Sequence, residues 1–230
     1  RSPEDWGAMW ENGSWDPVAL GAYLDRWRDR FDLFHDRHPF YQVASLDFSY
    51  EGPVTKLAHE LASSANRFTL FDHTVEATRP YLTPAQAARY LLAHLCFAVG
   101  GLVSRESEEH KSAAGAPLVK AAVALVRGDS LFHTLMLNLI RYDPGDDAPF
   151  EAEGDRPAWE SEDETRPEDR QPRGYLDLLT WQSRRLRLRP ESDSDGQVVV
   201  RRAVAMKGNQ FRDGFLRPGT RGDEADRPGA

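Results

Sequence analysis

Arg184-Arg185-Leu186-Arg187-Leu188-Arg189, then Asp193-Ser194-Asp195-Gly196, then Gln197 through Met206, is the stretch on which the fold turns. From Arg185 the first run alternates strictly, which predicts a strand with one apolar and one basic face. The Asp-Ser-Asp-Gly run is a turn and the valine-rich run a second strand, so the two predict a β-hairpin. On the basic face, Arg185, Arg187 and Arg189 are spaced to track a phosphate backbone; a solvated outer face is the competing reading.

Upstream the period changes from two to that of a helix. Thr83-Pro84-Ala85-Gln86 combines an N-cap, a proline at the first helical position and a capping box, and the helix it starts runs to Val99 before Gly100-Gly101. Its faces are nearly all apolar, which predicts burial. Ser130 caps a second buried helix over 131–140, and Asp16-Pro17 opens an amphipathic helix ending near Phe34. Extended segments are expected at 38–43 and 67–71, short helical pieces at 53–61 and 174–182, and a strand at 119–126. Residues 72–82 and 102–116 read as loops. The sum is an α+β fold: mixed helices and short antiparallel β-hairpins in one large irregular domain over 1–218, with 219–230 a disordered tail or linker.

The chain has 230 residues, 40% of them hydrophobic, with six Trp and eleven Phe, enough for a sizeable core. Its formal net charge is −8, which argues against free, non-specific DNA binding. Charge is polarised, however. Residues 143–169 hold twelve acidic against two basic residues and read as a flexible excursion pinned by Trp159, whereas 170–217 hold eleven basic against five acidic. A lone cysteine, Cys96, excludes an intramolecular disulfide and fits a reducing cytoplasm. No apolar run approaches the roughly 20 residues of a membrane span. The start at Arg1-Ser2-Pro3 and the Gly- and Pro-rich end are expected of a piece of a longer chain.

No nucleotide-binding glycine motif, nucleophile elbow or zinc-protease motif is present. Cys96 sits inside an apolar helix, where cysteine is usually an inert small hydrophobe. His35 and His38 fall at a helix end beside Pro39, with no third metal ligand in view, so neither a metal nor a cofactor is expected. A cytoplasmic α+β enzyme or regulator with a pocket lined by His35, His38, His73 and His94 remains the alternative to a binding protein.

Several stretches, in this order, resemble the CasA family, the large subunit of the type I-E CRISPR Cascade complex. They are Phe31–Phe34 and His38–Gln42, Leu70–His73, Gly115–Leu118, Val126–Phe132, Leu137-Asn138, Pro157–Glu160 and Gly174–Arg185. The resemblance spans roughly residues 20–210. It implies most of a mixed α/β N-terminal domain, with the family's C-terminal helical bundle absent. Asp193–Gly196 stands where some members carry a zinc-binding cysteine cluster, so no zinc is implied.

The family's role implies a non-catalytic subunit that reads the protospacer-adjacent motif of double-stranded target DNA from the minor groove. It aids duplex opening and recruits the helicase-nuclease. The implied partners are the other Cascade subunits, the guide RNA 5′ handle, target DNA and the CRISPR helicase-nuclease, with no membrane. Phe71, Asp72, His73 and Thr74 match the start of a loop that contacts the neighbouring subunit at the handle; a buried aromatic is the competing reading of Phe71. Lys111, Ser112, Ala113, Ala114 and Gly115 correspond in position and composition to a glycine-containing loop that presents backbone to the motif. Asn209-Gln210 resembles the family's wedge dipeptide but comes too early in the chain, so that role is not carried over.

Overall fold

A computed structural model of the chain describes residues 3–58, 80–104, 108–120, 122–139 and 154–212. The hairpin forms where expected: β5 (Arg184–Ser192) pairs antiparallel with β6 (Val198–Lys207), Leu186 opposite Ala205 and Leu188 opposite Ala203. Asp193 Oδ1 accepts from Asp195 N and Gln197 N, and Gly196 supplies the positive φ of +75° that closes the turn. A short β1 (Gly52–Pro53) joins the far edge of β6, giving a three-stranded sheet in the order β1-β6-β5.

Both faces of this sheet are covered. On one side Leu186, Leu188, Val200 and Ala203 pack with Ala87, Leu91 and Leu95 of α3 (Pro84–Phe97). On the other, Val204 and Met206 pack with Val43, Leu46 and Phe48. The open edge of β5 is closed by the 42–43 segment: Val43 N donates to Leu186 O at 2.9 Å, and Leu188 N donates to Gln42 Oε1 at 2.7 Å. An edge so paired offers no template to another strand.

Helix α3 starts on the capping box read from Thr83 and Gln86, each bonding the other's backbone N–H. It is narrower in burial than its composition predicts. Ala87, Leu91, His94 and Leu95 are buried, but Leu92 and Phe97 are exposed. The expected helix to Phe34 ends early: α2 (Pro17–Arg26) gives way to a 3-10 turn over Arg28–Phe31, and none of its residues is buried. Helix α4 (Leu131–Leu137) likewise buries only Met136, against the fully buried helix expected. It packs with α1 (Pro3–Asn12), whose Trp6 Nε1 donates to Met136 O at 3.0 Å and whose Trp10 ring lies 4.9 Å from His133.

Two further expectations are corrected. Residues 119, 120 and 122–126 form no strand, because among the described residues no neighbouring strand pairs with them. Asn138 takes that place at Val126, accepting from its N at 3.0 Å and donating to its O at 2.6 Å. The acidic run is not a free excursion over 154–169. Its carboxylates are spent on the body: Glu162 pairs with Arg30, Glu164 accepts from Ser45, and Glu160 accepts from the Tyr23 hydroxyl. Trp159 does pin the segment, with Nε1 donating to Tyr23 Oη at 2.8 Å and its ring against Phe31 and Tyr41. The expected extended piece at 67–71 and the tail at 219–230 lie outside the described residues. Among the described residues, no helix is long and apolar enough to cross a membrane.

Among the described glycines, Gly208 has the closest backbone neighbour. A Cβ there would meet Gln182 O at 2.5 Å and the Arg184 backbone N and C at 2.8 Å. Gly208→Ala in the intact protein should lose about 1–3 kcal/mol by chemical denaturation, since backbone must move. Gly7→Ala, in open space within α1, should instead gain up to about 1 kcal/mol.

Candidate functional site

The loop over 111–115 is set on a buried polar support. Strand β2 (Gly101–Leu102) pairs antiparallel with β3 (Ser112–Ala113), placing the 98–103 segment alongside the loop. Ala116 N donates to Ala98 O at 2.8 Å and Val103 N to Lys111 O at 3.1 Å. At Gly100 a side chain would be crowded, because its Cβ would lie 3.0 Å from Gly115 N.

Beneath this pair sits Arg184, only 1% exposed. Its guanidinium donates to Val99 O at 3.0 Å, Ala114 O at 2.8 Å and Ser183 O at 2.9 Å. Burial pulls its pKa down from the usual arginine value to about 10. Gln210 completes the clamp from β7 (Gln210–Phe211), which pairs parallel with β4 (Asp169–Arg170). Its Oε1 accepts from Ala114 N at 2.6 Å, while Nε2 donates to Asn209 O at 2.8 Å and Ser183 O at 3.2 Å. Both backbone groups of Ala114 are thus fixed from below. Lys111, Ser112 and Ala114 face outward, Ala113 is buried and Gly115 half-buried. The arrangement presents a short, small-residue ridge in a held conformation, suited to lying against a shallow surface.

The hairpin arginines do not form the open basic face expected of them. Arg185 is buried, its Nε donating to Lys207 O at 2.8 Å. Arg187 is half-buried with its guanidinium 4.1 Å above the Phe48 ring, and it donates to Leu46 O. Only Arg189 is exposed, and it pairs with Glu51 at 2.8 Å, as Arg202 does at 2.7 Å. The alternation that looked like a solvent face is a second packed face, on which arginine stems cover Phe48 while their heads reach carbonyls. Arg184, outside that pattern, was not picked out by sequence, and Gln210 was noted only for its likeness to the wedge dipeptide, not as a support for the loop. Four arginines in six residues was the available signal, but nothing local distinguishes the one that turns inward.

Among the described residues, His35, His38 and His94 form no metal-binding group. His35 and His38 stack with rings 6.0 Å apart, and His35 Nδ1 accepts from the Arg37 and His38 amides. His94 is buried in α3, and His73 lies outside the described residues along with Phe71, Asp72 and Thr74. Among the described residues, no three His, Cys, Asp or Glu side chains are grouped to hold a metal ion. Burial pushes the Cys96 thiol above its usual pKa, opposite to an activated nucleophile.

A hairpin sheet covered by a capped helix, with a clamped loop at its end, can be compared with known proteins. The family model for CRISPR-associated protein Cse1 matches residues 1–223. The chain belongs to the Cse1 family. A curated relative, CRISPR-associated protein CasA/Cse1 of Thermus thermophilus, is 42% identical over 202 residues, covering 84% of this chain and 38% of the relative. The crystal structure of Cse1 from Acidimicrobium ferrooxidans is 30% identical with a TM-score of 0.70, over 91% of this chain and 40% of that one. A chain of a "CRISPR RNA-guided surveillance complex, pre-nicking" shares the fold at a TM-score of 0.66 and 24% identity, over 92% of this chain and 41% of that one. The chain therefore spans about two-fifths of the length of these relatives. The α+β class expected of the CasA resemblance agrees with these Cse1 folds.

Two tests follow from the clamp and from Cys96. Gln210→Leu leaves Ala114 N without its acceptor. It should cost about 1–3 kcal/mol and speed exchange of the Ala114 amide at least about tenfold, measured by hydrogen exchange. Alkylation of Cys96, followed by peptide mass spectrometry, should be strongly suppressed at mildly alkaline pH in the folded protein. The raised pKa leaves less thiolate there, and denaturant should restore the reaction.

Proposed function

We propose that this chain is part of the non-catalytic large subunit of a type I-E Cascade, an RNA-guided surveillance complex. In that complex it reads the short motif beside a DNA target, helps open the duplex and docks the helicase-nuclease. Membership of the Cse1 family and the fold shared with a chain of a CRISPR RNA-guided surveillance complex support the subunit role. The observation that carries the reading role is the clamped loop. Its outward residues are small apart from Lys111, and its backbone is fixed by buried Arg184 and Gln210. The minor groove offers a degenerate pattern on a shallow surface, and a preorganised backbone ridge matches it with little ordering cost. On this reading Lys111–Gly115 face the motif, and Phe71–Thr74 contact the neighbouring subunit at the guide RNA 5′ handle. Arg185, Arg187 and Arg189 act mainly by supporting the fold.

A net charge of −8 goes with weak binding to DNA by the protein alone, and motif preference then emerges only in the assembled complex. The experiment uses RNA-loaded complex with and without the intact protein, on duplexes carrying the correct or a scrambled adjacent motif. Both affinity and motif preference should require the subunit. Gly115→Val should lower the preference at least about tenfold, roughly 1.4 kcal/mol, with the fold retained. The new side chain meets Val119 Cγ2 at 2.8 Å, an exposed side chain that can turn aside. Unchanged preference in that variant would remove the loop from the account.

A further inference from the structure

A groove of about 330 Å³ lies on the other side of the Asn209-Gln210 dipeptide from the loop. Asn209 lines the groove, while Gln210, one residue on, holds Ala114. Six arginines border it. Two are neutralised: Arg30 pairs with Glu162, and Arg170 pairs with Asp177 through both guanidinium nitrogens. Arg37, Arg156, Arg166 and Arg173 are exposed and have no ion pair among the described residues.

Arg156 and Arg173 come together around Gly154. A Cβ built there lies 4.0 Å from both Arg156 Nη2 and Arg173 Cδ. Among the described residues, the carboxylates of Asp155 and Asp177 bond to other partners. Asp155 accepts from Leu176 N at 3.1 Å and Asp177 N at 2.9 Å; Asp177 accepts from Arg170 and from Arg173 N. The fold therefore gathers like charges from positions 37, 156, 166 and 173 while spending the local acids on α5 (Tyr175–Leu179) and on Arg170. Arginines without an ion pair at a groove are free to bind an anion, and the planar guanidinium fork matches phosphate geometry. Carboxylates of Glu162, Asp163, Glu164, Glu168 and Asp177 line the groove against its six arginines, which limits its net charge and favours one phosphate over a long stretch of backbone.

We propose that this groove is an anion site that grips a phosphate of a nucleic-acid strand between Arg156 and Arg173, with Arg37 and Arg166 alongside. The inference rests on the nucleic-acid reading above for the partner, but its chemistry is independent of the 111–115 loop.

The test is fluorescence anisotropy with the intact protein and no other subunit at low ionic strength, on labelled single-stranded RNA and DNA of one sequence. R156Q/R173Q should weaken binding of both strands roughly tenfold. It should also flatten the dependence of log affinity on log salt by roughly 0.7, the loss of one neutralised phosphate. The charge-matched R26Q/R28Q should keep wild-type affinity, and both variants should keep the wild-type melting temperature. Three outcomes would each overturn the proposal: unchanged affinity, an equal loss in the control, or a loss confined to RNA, which would place the contact on ribose. Because no complex is assembled, failure of the subunit to join Cascade leaves this result interpretable on its own.

Discussion

Arg184 is a cation buried with carbonyl oxygens as its only hydrogen-bond partners among the described residues. Removing a guanidinium from water is costly, and the downward pull on its pKa to about 10 is the trace of that cost. The cost is offset only while Ser183, Val99 and Ala114 all stay in place, so one side chain ties the start of β5 to the end of α3 and to the outer loop. The neighbouring contacts share the same dependence. Ser183 Oγ donates to Leu95 O at 2.6 Å, capping the last turn of α3, and Gly208 passes close enough to Arg184 to exclude any side chain. Loop position is thus a property of the core rather than of the loop's own residues.

The same logic explains how so basic a strand lies inside the protein. Arg185, Arg187 and Arg189 alternate with leucines, yet their face is packed over by Phe48 and its neighbours. Their heads go to Lys207 O, Leu46 O and Glu51, and the guanidinium groups of Arg187 and Arg189 lie over the Phe48 ring. Acidic residues of the 154–169 run are likewise held by the body, Glu162 pairing with Arg30 while Glu160 and Glu164 accept from Tyr23 and Ser45. Around the groove, Arg37, Arg156, Arg166 and Arg173 have no ion pair among the described residues, a local feature that the net charge of −8 conceals.

Local signals were legible in the sequence. The capping box at Thr83 and Gln86, the Asp16-Pro17 helix start and the hairpin with its Gly196 turn all rest on contacts between residues a few positions apart. What misled was anything settled by distant partners. The acidic run reads as flexible from composition because its partners lie more than a hundred residues upstream. Residues 119–126 have β-prone side chains but, among the described residues, lack a neighbouring strand. The basic face of β5 follows a two-residue period whether it meets solvent or Phe48, and the period alone does not say which. The 111–115 segment was singled out through family resemblance alone, whereas its support by Arg184 and Gln210 was visible only once the fold brought them together.

The central claim is that this supported loop faces target DNA. It is tested most directly by placing a photo-cross-linking residue at Ser112, which is exposed, in the intact protein and assembling it with RNA-loaded complex and a target duplex. The account predicts cross-links to the base pairs of the adjacent motif, lost when Gln210→Leu releases the loop. Cross-links only to protein, or to DNA regardless of the motif's position, would contradict it.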